Sequence, residues 1–267
     1  MGKEKKNQTI KFKNPPKIIG NYSIVGPKEG EGTFKDYFDY VVQNDNFGED
    51  TYEKAERKML EHAIMGAADK AGISTKDIDV LLCGDLLNQI ISSSYAARSF
   101  DLCYLGVFGA CSTMALSLAM GSAFIDASHF QNIACATSSH FSSAERQFRY
   151  PLELGNQRPP TAQWTTTAAG CSIISSEGDG PIITSATFGK VIDFDICDVN
   201  NMGAAMAPAI AIIGLCGMIL PRISNTKIYS KGGKYSINNV CEIQLGSQQN
   251  ILLTFYYRIK IQIIWHK

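Results

Sequence analysis

The sequence predicts an α/β protein, with a parallel or mixed sheet flanked by helices on both faces. Three observations carry that expectation. Short, mostly apolar runs recur at Ile78 to Cys83, Cys103 to Phe108 and Gln131 to Ser138, and a run that does not alternate suits a strand covered on both sides. Segments of helical spacing or small-residue character separate these runs, and strand alternating with helix is the signature of a largely parallel sheet. Across the 267 residues, 45% hydrophobic and 19% charged content is that of a globular chain able to bury one large core or two modest ones.

Taken in order, Lys17 to Val25 (KIIGNYSIV) has strand character, and the glycine-rich GPKEGEGTF that follows is a loop. Asp50 to Gly72 reads as an amphipathic helix, with Ala55, Met59, His62, Ala63, Gly66 and Ala67 near helical spacing and Gly72 as its stop. The run at 78–83 passes through Gly84-Asp85-Leu86-Leu87-Asn88-Gln89 into a small-residue helix ending near Arg98. The run at 103–108 passes through Gly109-Ala110-Cys111-Ser112-Thr113 into a helix reaching about Ser128. After the third run a polar loop is expected from Ser139 to Gln163, then strands near Thr165 to Ser175 and Ile182 to Val191.

Charge excludes some partners. Lys plus Arg equals Asp plus Glu, 25 of each, so no global field favours nucleic acid or an anionic membrane. None of the eight cysteines forms a C-x-x-C pair, which argues against a zinc or redox site and fits free thiols in a reducing compartment. The basic start MGKEKKNQTIKFKNPPK has no apolar segment behind it, unlike a signal peptide, and no window reaches the roughly 20 apolar residues of a spanning helix. Membrane association is expected to be peripheral.

The chain changes character at its end. Residues 209–267 hold seven basic side chains, one acidic (Glu242) and thirteen isoleucines. Two readings stand: a separate basic module, or out-of-frame translation of an AT-rich gene. The second is favoured, because the strand and helix alternation stops there.

Four stretches together carry a family likeness: GDLLNQ at 84–89, FGACST at 108–113, ATSSH with AERQFRYP within 136–151, and GKVIDFDICDVNNMGAAMAPA at 189–209. Over residues 15–209 the chain resembles the stage V sporulation protein AD family of the thiolase-like superfamily. That resemblance implies a thiolase-like fold of two similar halves with a pocket between them. It implies a first half at 15–183, the start of a second at 184–208 and a divergent tail at 209–267. The second half would then be largely missing, through truncation or frameshift. A chain from a disrupted gene that does nothing is the third functional reading.

The resemblance also implies a spore protein that binds dipicolinic acid (pyridine-2,6-dicarboxylic acid), alone or as its calcium chelate, in uptake and release during sporulation and germination. Membrane proteins of the same transport complex would be its partners, and its place the cytoplasmic face of the forespore or spore inner membrane. Neither a cofactor nor a protein-held metal is implied. A planar dianion calls for arginine forks and backbone amides. Arg146 and Arg149 would supply the forks, and the helix terminus at Cys111 the amides. Asp85, Asn88, Gln89, Ser138 and His140 complete the expected site. Bland alternatives remain beside each: Arg146 and Arg149 pairing with Glu145 or Glu153, Asp85 capping the next helix. The runner-up function is acyl transfer, with Cys111 as acyl acceptor and His140 as the one histidine in a plausible pocket loop. Much of the equipment for that chemistry comes from the second half of such enzymes, so Cys111 as a buried or ligand-lining thiol is the simpler reading.

Overall fold

The computed structural model describes residues 9–148, 165–188 and 259–264, with side chains placed over 9–144 and 165–188. The strands are β1 (Thr9–Lys11), β2 (Lys17–Val25), β3 (Tyr40–Val41), β4 (Val80–Gly84), β5 (Cys103–Gly106), β6 (Asn132–Ser139), β7 (Ala168–Ser175), β8 (Ile182–Phe188) and β9 (Ile259–Ile264). The helices are α1 (Tyr52–Ala71), α2 (Ile91–Arg98), α3 (Thr113–Asp126) and α4 (Phe141–Phe148).

All the described strands join one sheet in the order β1-β8-β2-β7-β6-β4-β5, with β3 on β2 and β9 on β8. The sheet is mixed. Its parallel part is the trio β5-β4-β6, the three apolar runs of the sequence. β7 is antiparallel to both β6 and β2, so β2, β4, β5 and β6 all point the same way. β8 meets β2 at a single pair, Lys17 with Ile182, and otherwise pairs antiparallel with β1 and β9.

The apolar runs are explained by how their residues divide. Leu81 and Cys83 of β4 and Ala134 and Ala136 of β6 face a core shared with Met59, Leu60, Ala63, Ile64 and Ala67 of α1 and Ala96 of α2. Val80, Leu82, Ile133 and Cys135 face the opposite core with Met114, Ala115, Leu118 and Ala119 of α3. Successive strand residues point to opposite faces, so a strand sandwiched between helices is apolar at every position. Leu81 and Leu82 are both fully buried, each contributing about 2 kcal/mol by removal from water.

α1 begins where Thr51 accepts the amide of Lys54 and ends at Gly72, which adopts φ 69° in the left-handed region. Its close approach to the sheet needs Gly20, where a Cβ would lie 2.4 Å from the Ala67 carbonyl oxygen.

Three expectations need correction. The polar stretch from Ser139 contains α4 rather than a continuous loop. The Cys103 to Phe108 run, expected to be covered on both sides, forms β5 at the end of the described sheet with Cys103, Leu105 and Gly106 exposed. The tail, where the alternation is expected to stop, contains β9, paired with β8. Residues 189–209, which carry the fourth family-like stretch, lie outside the described residues, as does most of the tail.

Candidate functional site

Because β2, β4, β5 and β6 run together, their carboxyl ends and the amino end of β7 share one edge of the sheet. Ligand groups in such sheets come from loops at that edge. Here it carries the turn after β4 (Asp85, Asn88, Gln89), the turn after β5 (Cys111), the end of β6 (Ser138, His140), and α4.

The first two turns are locked together. At Gly84 a Cβ would lie 1.9 Å from the Val107 carbonyl oxygen, and at Gly106 a Cβ would lie 2.2 Å from Cδ1 of Ile90. Val107 also donates its amide to the Cys83 carbonyl at 2.9 Å. The chain after β5 therefore passes directly over the end of β4, bringing the Asp85 turn beside the Cys111 turn. Both turns hold backbone that L-residues rarely adopt: Gln89 (φ 61°), Ile90 (φ 47°) and Ala110 (φ 47°). For β-branched Ile90 this is a marked outlier, and such strain gathers at ligand clamps and active sites.

Cys111 is half-buried and its thiol is free of disulfide. It lies in a one-turn 3-10 segment that leads into α3. The turn is set by its neighbours: Thr113 Oγ1 accepts the Gly109 amide and donates to the Ala110 carbonyl, while Ser112 Oγ donates to the Gly109 carbonyl. No side chain caps α3, and its first turn holds no acidic residue. The deeper cysteines differ. Burial pushes the Cys83 thiol up to about 12 and raises those of Cys135 and Cys171, so they behave as small hydrophobes.

Asp85 is fully buried. Its Oδ1 accepts the Leu87 amide at 2.8 Å and its Oδ2 the Ser93 amide at 2.6 Å. Burial raises its pKa, and the bonds to Ser93 and Leu87 act against the rise. With both oxygens turned onto the entry to α2, Asp85 has the capping geometry. Asn88 and Gln89 are exposed on the same turn.

His140 is also fully buried. Its Nδ1 accepts the Ser142 amide at 3.2 Å, so Nε2 carries the proton and donates to the Asp45 carbonyl at 3.0 Å. The ring stacks on Tyr52 at 4.8 Å and Phe141 at 5.1 Å. Both nitrogens are thus engaged with the backbone, an arrangement that holds a loop rather than one that takes a proton from a thiol. Ser138 faces inward and donates to Glu56 Oε1 at 3.0 Å. Arg146 lies on α4 with its side chain outside the described set, and Arg149 lies outside the described residues.

Glu56 was missed from sequence. It sits on α1, entirely buried, and accepts hydroxyls from Ser138 on β6 and Ser143 on α4. Burial, with Asp85 adding, pushes its carboxyl up to about 8 despite the two serines. A signal was present: residues 56, 60, 63, 64 and 67 fall on one helical stripe, and a glutamate on an apolar stripe is rarely solvated.

Among the described residues no cluster of three or more His, Cys, Asp or Glu could hold a metal ion, and no helix is long and apolar enough to cross a membrane.

Comparison with known proteins matches this framework. In solved structures the fold resembles OleA of Xanthomonas campestris. A glutamate-to-alanine variant has a TM-score of 0.58 at 10% identity, covering 82% of this chain and 76% of that one. The cerulenin-bound form has 0.56 at 10% identity, covering 91% and 87%. These likenesses establish a thiolase-like fold. The family model of stage V sporulation protein AD matches residues 6–215. Stage V sporulation protein AD of Bacillus subtilis (strain 168) is 43% identical over 204 residues, which are 76% of this chain and 60% of that protein, so the chain spans less than two thirds of its relative's length. The chain belongs to the stage V sporulation protein AD family.

Proposed function

We propose that the chain binds dipicolinate at the carboxyl edge of the sheet, as part of the machinery that moves this dianion during sporulation and germination. Membrane proteins of the same complex are its partners, and its place is peripheral, on the cytoplasmic face of the spore inner membrane. The observation that carries the reading is the start of α3. It opens at the strand ends with no side-chain cap and no acidic residue in its first turn, beside the strained turn at Gln89 and Ile90. Backbone amides there suit one carboxylate, and the α4 segment, with Arg146 and then Arg149 in sequence, supplies cations for the other. Asp85, its oxygens held by backbone amides, opposes the anion unless calcium or a protonated ring nitrogen comes between them.

The relative is longer, and a pocket between two halves would draw contacts from the part this chain does not match. Loss of about 3 kcal/mol, the size of one or two charge-assisted hydrogen bonds, weakens binding more than about a hundredfold. Calorimetry with dipicolinate on this chain and on the Bacillus subtilis relative tests the reading. Saturable heat is expected from both, weaker in this chain and weaker again by about tenfold in Arg146→Ala and Arg149→Ala. Heat from the relative alone would move the site out of the residues present here. Heat from neither would remove dipicolinate as the ligand.

Acyl transfer at Cys111 is the second reading, favoured by the half-buried thiol next to strained Ala110. Stable acylation of Cys111 by a short acyl thioester would support it.

A further inference from the structure

We propose that Glu56 is a proton-carrying positioning residue that clamps α4 to the end of β6. The geometry comes from three elements meeting on one carboxyl: Glu56 of α1, Ser138 of β6 at 3.0 Å and Ser143 of α4 at 2.8 Å. All three side chains are buried. Ser143 Oγ has a second acceptor within reach, the His140 carbonyl at 3.3 Å. A serine hydroxyl has one proton to donate. Both contacts are made at once when Glu56 carries a proton, donates it from Oε2 to Ser143, and so frees the Ser143 hydroxyl for His140. A relay then runs from the Ser138 hydroxyl to Glu56, to Ser143 and on to the His140 carbonyl. That carbonyl also accepts the Ala144 amide at 3.0 Å, so the relay ends on the first turn of α4.

The surroundings favour the neutral form. Asp85 from the β4 turn, Glu53 on the same helix and the Cys83 thiol are its titratable neighbours. α4 adds Glu145 and Arg146, whose side chains lie outside the described set, and His140 precedes it. Loss of the proton places a second negative charge near Asp85 among fully buried side chains, which is costly. The least costly escape is for α4, a two-turn helix, to lift away. The clamp itself does not depend on the ligand. Its effect on affinity rests on the dipicolinate reading, because α4 carries Arg146.

Hydrogen exchange on the full chain tests this, corrected for intrinsic rates and followed at pH 6.5 and 9 in the wild type, Glu56→Gln, Glu56→Ala and Ser143→Ala. At pH 6.5 the wild type and Glu56→Gln should protect amides 142–148 alike. Glu56→Ala and Ser143→Ala should speed exchange there by about tenfold while β4 and β6 keep their protection. At pH 9 the wild type should loosen at 142–148 and Glu56→Gln should not. The clamp is refuted if Ser143→Ala leaves 142–148 protected, if protection is lost equally from β4 and β6, or if the wild type and Glu56→Gln respond alike at pH 9. Should none of the forms bind dipicolinate while this exchange pattern holds, the ligand reading fails and the clamp stands.

Discussion

The turns that end β5 and β6 leave flanking strands of one parallel trio at the same sheet edge, yet they are built oppositely. After β5 the chain is strained at Ala110, presents a half-buried thiol and delivers an uncapped helix. After β6 most polar side chains are sealed: Ser138, Ser139, His140 and Ser143 are buried and bonded inward. Strain and access are the features on which the proposed ligand site at the first turn rests. Satisfied polar contacts mark the second as the part that holds the edge in shape. A cysteine and a histidine after two strands of one parallel trio would suggest a nucleophile and its base from sequence alone. The separation in burial argues for different jobs.

The largest expected effect breaks the sealed side through pH. Glu56 is raised from an ordinary value of 4.5 to about 8, chiefly by burial, and Asp85 is raised in the same direction. Between those two values the folded chain keeps a proton that the unfolded chain has released. Stability is therefore full below about pH 4.5, falls as pH rises, and levels off above about 8. The fall from pH 5 to 8 should be on the order of 3 kcal/mol, read from urea midpoints, and Glu56→Gln should remove most of it. An unchanged slope in Glu56→Gln would assign the pH dependence to other groups.

Next in size is His140→Ala. It deletes a buried ring stacked on Tyr52 and Phe141 and leaves the Asp45 carbonyl and Ser142 amide without their partner atoms. A loss of about 2 to 4 kcal/mol is expected in chemical denaturation. A loss below about 0.5 kcal/mol would mean that the ring is not part of the scaffold and would return His140 to the list of candidate bases.

The same contrast decides what could be read in advance. β4 and β6 were legible because strands covered on both faces have no alternation to hide them, β5 as a short apolar run although it lies exposed at the end of the described sheet, and α1 because its small and apolar residues repeat at helical spacing. α4 was not: FSSAERQF is a polar octapeptide, and tertiary bonds help seat it, from Ser143 to Glu56 and from the Phe141 amide to Thr167 Oγ1 at 3.1 Å. β1 and β9 read as basic and isoleucine-rich chain because each depends on β8, a partner distant in sequence. At the site, the turns bearing Asp85 and Cys111 were found from glycines flanking strand ends. The left-handed backbone at Ile90 had no signal, since a β-branched residue is the last expected there. The choice for Asp85 between capping and ligand contact needed coordinates, because an aspartate after a strand suits both.

The smallest effect on stability, and the clearest view of the open side, should come from Cys111. Replacement by serine is nearly isosteric at this half-buried position and should shift stability by less than about 0.5 kcal/mol. Reactivity is where the position should stand out. Cys103 is exposed, Cys111 half-buried, and Cys83, Cys135 and Cys171 are buried. Iodoacetamide on the native chain, read by peptide mass, should therefore modify Cys103 and Cys111 while those three wait for unfolding. Dipicolinate bound at the start of α3 would cover Cys111 and leave Cys103 open, so Cys111 should be protected and Cys103 should not. Protection of both would indicate a change in the whole edge. Protection of neither at saturating ligand would place the dianion away from α3, and the open turn after β5 would lose its claim to the site.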